Sequence, residues 1–173
     1  MAGLEPLTSG QAWVHGMALH GKSEEELSAL RRGAVGIIFQ SFHLIPTLTA
    51  VENVSLPLEF KGVADAEAVA RARLHDVGLG HRLDHYPGQL SGGEQQRVAI
   101  ARAVAAGARV ILADEPTGNL DQDTGAAIMS LLFDLRHQHG TTLLLVTHDP
   151  ALARRCDRII TVRDGQVNEA GPA

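Results

Sequence analysis

Two adjacent carboxylates, Asp114 and Glu115, follow the short apolar run Val110-Ile111-Leu112-Ala113. Such a run reads as a strand buried on both faces, as in a parallel sheet. Acids at the C-terminal end of that strand stand where open α/β sheets bind ligands. One carboxylate there suits Mg²⁺, and its neighbour suits the polarisation of a water. An isolated Asp-Glu pair would more simply be a charged strand end meeting solvent; the stretch before it argues for chemistry. Ser91-Gly92-Gly93-Glu94 has the spacing of a capping box, with Ser91 as N-cap and Glu94 three residues on. The two glycines leave backbone N–H groups uncovered at a positive helix end, which suits an anion such as a phosphate. The helix predicted from there runs through Arg97, Val98, Ala101, Arg102 and Ala105, with small apolar residues on one face.

Other elements must hold these groups in place. Val35 to Phe39 (VGIIF) reads as a strand ending at Gln40, and Thr141 to Thr147 (TTLLLVT) as a buried strand ending at His148 and Asp149. A parallel sheet would carry Gln40, Asp114-Glu115 and His148 on one edge. Gln122 to His139 reads as a helix with Ile128, Leu131, Leu132 and Leu135 at helical spacing, closed by Gly140. Asp65 to Asp76 reads as a helix rich in alanine and arginine. Arg158 to Val162 and Gln166 to Asn168 flank Asp164-Gly165, a strong hairpin signal.

The whole run from Leu90 to Asp121, LSGGEQQRVAIARAVAAGARVILADEPTGNLD, resembles the ATP-binding cassette (ABC) ATPases. The resemblance implies an α/β, P-loop NTPase-like domain with a mostly parallel sheet and a helical subdomain. Residues 1–173 would be one partial domain, with the helical subdomain and Q-loop region at about 41–89. The signature, Walker B, D-loop and switch-histidine block would fill 90–149. It implies ATP and Mg²⁺ as ligands. Asp114 would serve Mg²⁺, Glu115 the attacking water, Gln40 the Mg²⁺ and water network, and His148 the γ-phosphate. Ser91, Gly92, Gly93 and Gln95 would reach a nucleotide held by the opposite subunit, with Asp121 of the D-loop beside it.

That family also holds ATP phosphates in a loop reading G-x-x-x-x-G-K-S/T. Gly16-Met17-Ala18-Leu19-His20-Gly21-Lys22-Ser23 matches literally. Its loop residues are bulky, and the helix after it opens on Glu24-Glu25-Glu26, where acids would repel a triphosphate. Glu24 to Arg31 reads better as a short surface helix capped by Ser23. Met1 to Gly10 resembles the end of the helix that follows the true loop. The expectation is therefore an N-terminally truncated cassette, with first strands and phosphate loop missing and activity impaired when alone.

Within the family, Val35 to Leu58 resembles the Q-loop region of lipoprotein-releasing and macrolide-export ATPase subunits. That implies a head-to-tail dimer with itself or an intact subunit, bound to an integral membrane permease on the cytoplasmic face of the inner membrane. The cargo would be a lipoprotein or hydrophobic compound. One alternative is a non-catalytic cassette that lends only its signature motif. Another is a DNA-associated ABC ATPase, but no heptad stretch of the kind those proteins insert is present. The formal net charge of −5 gives no support for nucleic-acid binding. No apolar run approaches the ~20 residues of a membrane span, so membrane association would run through the partner. A single cysteine, Cys156, permits no internal disulfide. His81 and His85, and His137 and His139, lack a third ligand nearby and read as surface residues.

Overall fold

The computed structural model describes residues 3–170, the side chains of Glu169 and Ala170 excepted. Its centre is a three-stranded parallel sheet in the order β3 (Val35–Ile38), β4 (Val110–Asp114), β5 (Thr142–Val146). Ile38 pairs with Ala113, and Asp114 with Val146, so the three strands end together. Before the sheet come a small hairpin, β1 (Trp13–Val14) with β2 (Met17–Ala18), and helix α1 (Glu24–Ala34). Between β3 and β4 lie α2 (Ala50–Phe60), α3 (Ala66–Asp76), a 3₁₀ turn (Pro87–Gln89) and α4 (Gly92–Ala105). Helix α5 (Gln122–His139) links β4 to β5. A short α6 (Pro150–Ala153) and the antiparallel pair β6 (Ile159–Arg163) and β7 (Gln166–Ala170) follow.

Local chemistry explains most boundaries. Helices α1, α2 and α4 each open on a capping box: Ser23 with Glu26, Thr49 with Glu52, Ser91 with Glu94. Gly140 closes α5 in the left-handed conformation, at φ 60°. Asp164 and Gly165, both at positive φ, make the tight turn that fits a twisted two-residue hairpin. The core lies between the sheet and the helices. Val98 and Ile100 on α4, Ile111 on β4, and Ile128 and Leu132 on α5 are wholly buried. Helix α4 approaches β3 so closely that any side chain at Gly36 would strike the Ala103 carbonyl.

Three features depart from the sequence expectations, and a further element, α2, had no reading among them. Helix α2 is regular despite Pro57, and Asn53 stitches the chain before it. That buried amide receives the Ile45 N–H at 2.8 Å and donates to the carbonyls of Ile45, Leu48 and Thr49. Strand β5 is half-exposed rather than buried, because it pairs with β4 alone. Its other side faces a groove of about 490 Å³ shared with β6. Asp65 adopts φ 52° and makes no side-chain cap on α3. Of the stretch read as the end of a helix, Met1 and Ala2 lie outside the described residues, and Gly3 to Gly10 holds bends with no helical turn.

Candidate functional site at the sheet edge

The three strands carry Gln40, Asp114-Glu115 and His148 to one edge of the sheet. Asp114 is the last residue of β4 and is exposed. Glu115 follows at φ 44°, a conformation that costs a non-glycine residue energy and clusters at functional sites. Its N–H donates to the Val146 carbonyl at 3.0 Å, fixing the turn to the end of β5. Its carboxylate reaches His148: Oε1 accepts the His148 backbone N–H at 3.1 Å and lies 2.7 Å from Nδ1. The hydrogen bond to Glu115, then its charge, hold the imidazole above its ordinary pKa, with Asp149 adding to the effect. The ring stays open to solvent on its far side, with 85% of the side chain exposed.

Helix α4 begins beside this edge. Ser91 is exposed, Gly92 partly so, and Gly93 is buried against Thr124 of α5. A Cβ at Gly93 would lie 2.5 Å from the Thr124 methyl, so packing alone requires glycine there. A Cβ at Gly92 would meet Leu120 at 3.3 Å. The helix opening thus abuts the turn after the acids. Glu94 completes the cap by accepting the Ser91 N–H at 2.8 Å, and that bond lowers its pKa. Arg82 grips the same carboxylate at 3.0 Å.

Two expected ligand residues are engaged locally. Gln95 donates to the Leu90 carbonyl at 3.1 Å. Asp121 is the N-cap of α5 and accepts the Thr124 N–H at 3.0 Å; hydrogen bonding to the Thr124 side chain, then to its backbone N–H, lowers its pKa. Gln40 lies against the turn after β4, in hydrogen bonds with Asn119. Three residues outside the expected set also shape the site. Gln96 is wholly buried on α4 and donates to the Pro116 carbonyl at 2.7 Å, bracing the turn that carries Glu115. Asn119 meets Gln40, and Arg102 donates to the carbonyls of Phe42 and His43 at 2.8 and 2.6 Å. Gln96 and Asn119 fall within the LSGGEQQ and GNLD stretches that carry the family resemblance, although neither was assigned a role; Arg102 carried no comparable signal.

The Gly16–Ser23 match folds as something other than a phosphate cradle. Gly16 turns the β1–β2 hairpin, and Ser23 caps α1. Lys22 pairs with Glu26 at 3.3 Å. Among the described residues, no cluster of three His, Cys, Asp or Glu side chains could hold a metal by itself. A single exposed carboxylate is nevertheless enough for Mg²⁺ that takes its remaining ligands from phosphate oxygens and waters. Asp114 meets that requirement.

Comparison with known proteins identifies the family. Residues 1–118 match the ABC transporter family. The chain is 54% identical over 171 residues to the ABC transporter ATP-binding protein YbbA of Escherichia coli K12, covering 98% of this chain and 75% of that protein. It is 49% identical over 168 residues to the lipoprotein-releasing system ATP-binding protein LolD of Psychrobacter arcticus, covering 95% and 74%. Its fold superposes with a TM-score of 0.86 on the dimeric ATP-binding cassette MJ0796 bound to ADP and Pi, at 41% identity over 97% of this chain and 76% of that one. Sequence, sheet order and the acid edge converge, and the chain belongs to the ABC transporter family of ATP-binding subunits.

Proposed function

We propose that this protein is the nucleotide-hydrolysing subunit of a membrane exporter, and that the edge carrying Gln40, Asp114, Glu115 and His148 is its reaction centre. The observation that carries the reading is the Glu115–His148 pair at the C-terminal edge of a parallel sheet, at 2.7 Å. In a carboxylate–imidazole pair of this kind, the carboxylate polarises water and the protonated imidazole faces developing phosphate charge. Asp114 would hold Mg²⁺, which neutralises charge on the phosphates. Gln40 would order the water between metal and acid. Ser91, Gly92, Gly93 and Gln95 would face ATP bound by a second cassette in a head-to-tail dimer, with Asp121 at that junction. The dimeric neighbour and the lipoprotein-releasing relative support this assembly. A permease would then tether the subunit to the cytoplasmic face of the membrane. The chain has no described helix long and apolar enough to cross it. The cargo class is a lipoprotein or a hydrophobic compound.

A second reading draws on the hairpin at residues 13–18. The only sequence match to a phosphate loop is committed to that hairpin and to a helix cap. The chain would then lend its LSGGEQQ to ATP held by another cassette. One experiment separates the two. Mg²⁺-ATP hydrolysis is measured for the chain alone, and for a chimera in which a relative's phosphate-loop segment precedes residue 1. Turnover by the chimera, abolished by Glu115→Gln with ATP still bound, supports the first reading. A chimera that binds ATP and stays silent, yet stimulates a cassette lacking its own signature, supports the second.

A further inference from the structure

The loop after β3 and the turn after β4 are joined by a two-way amide contact. Asn119 Nδ2 donates to the Gln40 main-chain carbonyl at 3.0 Å, and Gln40 Nε2 donates to Asn119 Oδ1 at 3.5 Å. The glutamine lies directly over Gly118. A Cβ there would stand 2.6 Å from Gln40 Nε2 and 3.1 Å from its Cδ. Gly118 is not at positive φ, so its lack of a side chain serves space rather than backbone conformation.

Both partners are anchored from behind. The Gly118 N–H donates to the Glu115 carbonyl at 3.0 Å, and the Leu120 N–H to the Thr117 carbonyl at 3.1 Å. A tight double turn therefore connects Glu115 to Asn119. On the other side, Phe42 and His43 both adopt positive φ, at 59° and 48°. Arg102 of α4 holds their two carbonyls. Burial lowers the pKa of that guanidinium without a paired acid, so its partners are carbonyl dipoles.

We propose that Asn119 is a positioning residue for Gln40, and that Asn119 and Gly118 together latch the Gln40 loop to the Glu115 turn. The importance of Gln40 rests on the function proposed above; the latch itself is a property of the folded chain. While it is closed, the glutamine and the acid keep one spacing and one orientation. Gln40 can turn toward another group only by leaving Asn119, so the latch sets the cost of that step.

The test uses uniformly ¹⁵N-labelled protein without nucleotide. The Gln40 side-chain amide pair is identified by its disappearance in Gln40→Ala. The Ser41 amide nitrogen reports on the Gln40 carbonyl, because hydrogen bonding to a carbonyl shifts the next nitrogen along the chain. In Asn119→Ala, both signals move, and solvent exchange of the Gln40 amide rises several-fold. In Gly118→Ala, the new methyl meets the flexible end of Gln40, so the glutamine is evicted while the fold stays. Its amide pair then moves toward the position of an unconstrained glutamine. In Asn119→Asp the acceptor survives and the donor is lost, so the Ser41 signal moves most. Signals of β4 and α5 hold their places in all three, which a general loosening of the structure would not allow. Unmoved Gln40 and Ser41 signals in Asn119→Ala overturn the latch. Asn119 is exposed, so that variant retains the fold and decides the matter even if Gly118→Ala does not. Because no nucleotide is present, a failed latch leaves the proposed hydrolysis standing, and a failed hydrolysis assay leaves the latch standing.

Discussion

The block formed by α2, α3 and α4 and the strip formed by β5 with the β6–β7 hairpin use similar residues to different ends. Val54, Ala70, Leu74, Val98 and Ile100 in the block are sealed from water. Val146, Ile160, Val162 and Val167 in the strip are between 47% and 67% exposed. Both regions are apolar at the positions their periods require. Their difference lies in partners: each helix of the block meets two others, whereas among the described residues β5 has one neighbouring strand and the hairpin strands pair only with each other. An apolar side chain contributes through the water it sheds, so pattern alone does not rank these residues.

Leu74→Ala and Val162→Ala put this contrast to its largest test. Leu74 is fully enclosed between α3 and its neighbours, and its truncation should cost about 2–5 kcal/mol through lost burial and a cavity. Val162 is already wetted, and its truncation should cost less than about 0.5 kcal/mol. Urea unfolding monitored by circular dichroism gives both. Equal losses would mean that the hairpin has a partner in solution. The N-terminus of α4, at the margin of the block, gives a smaller effect. Ser91→Ala removes the oxygen that accepts the Glu94 N–H and should destabilise the protein by about 1 kcal/mol. Ser91→Asp restores an acceptor and should recover most of that loss; recovery failing would assign the serine to something other than capping. The smallest effect belongs to the strip. Its His148 titrates above the ordinary value of 6.5 because Glu115 favours the charged ring. Any stability from this pair is fully present below the unfolded-state pKa and fades as pH rises through the folded one. An NMR titration of the ring should show the raised pKa, and Glu115→Gln should bring it back toward 6.5. A ring that titrates identically in both proteins would show that the contact does not persist in solution.

Much of the acid edge was legible because it depends on local chemistry. The capping box of Ser91 and Glu94, the run ending at Asp114 and the glycine after α5 each carry their geometry in neighbouring residues. The β6–β7 turn did the same through Asp164-Gly165. What escaped depends on contacts distant in sequence. Helix α2 had no reading of its own in the sequence, and it continues through Pro57. Asn119 lies in the GNLD stretch that resembles the D-loop, but its contact with Gln40, 79 positions away, could not be read there. The exposure of β5 depends on which strands stand beside it, and its composition could not reveal that. The β1–β2 hairpin escaped because each strand is two residues long and carries no alternation to read.

The register of the central sheet has a consequence for how the protein comes together. Val35 pairs with Val110, while everything in the helical block lies between them in the chain. Closing so long a loop loses chain entropy before any ladder bond repays it. Helices α2, α3 and α4 make their contacts within a continuous stretch and shorten that loop as they pack. Emerging from a ribosome, the chain would have the block available first, with Gln40 waiting for Glu115 and Glu115 waiting for His148. The edge that carries Gln40, Glu115 and His148 thus joins groups distant in sequence, and it is complete only once β3, β4 and β5 have paired.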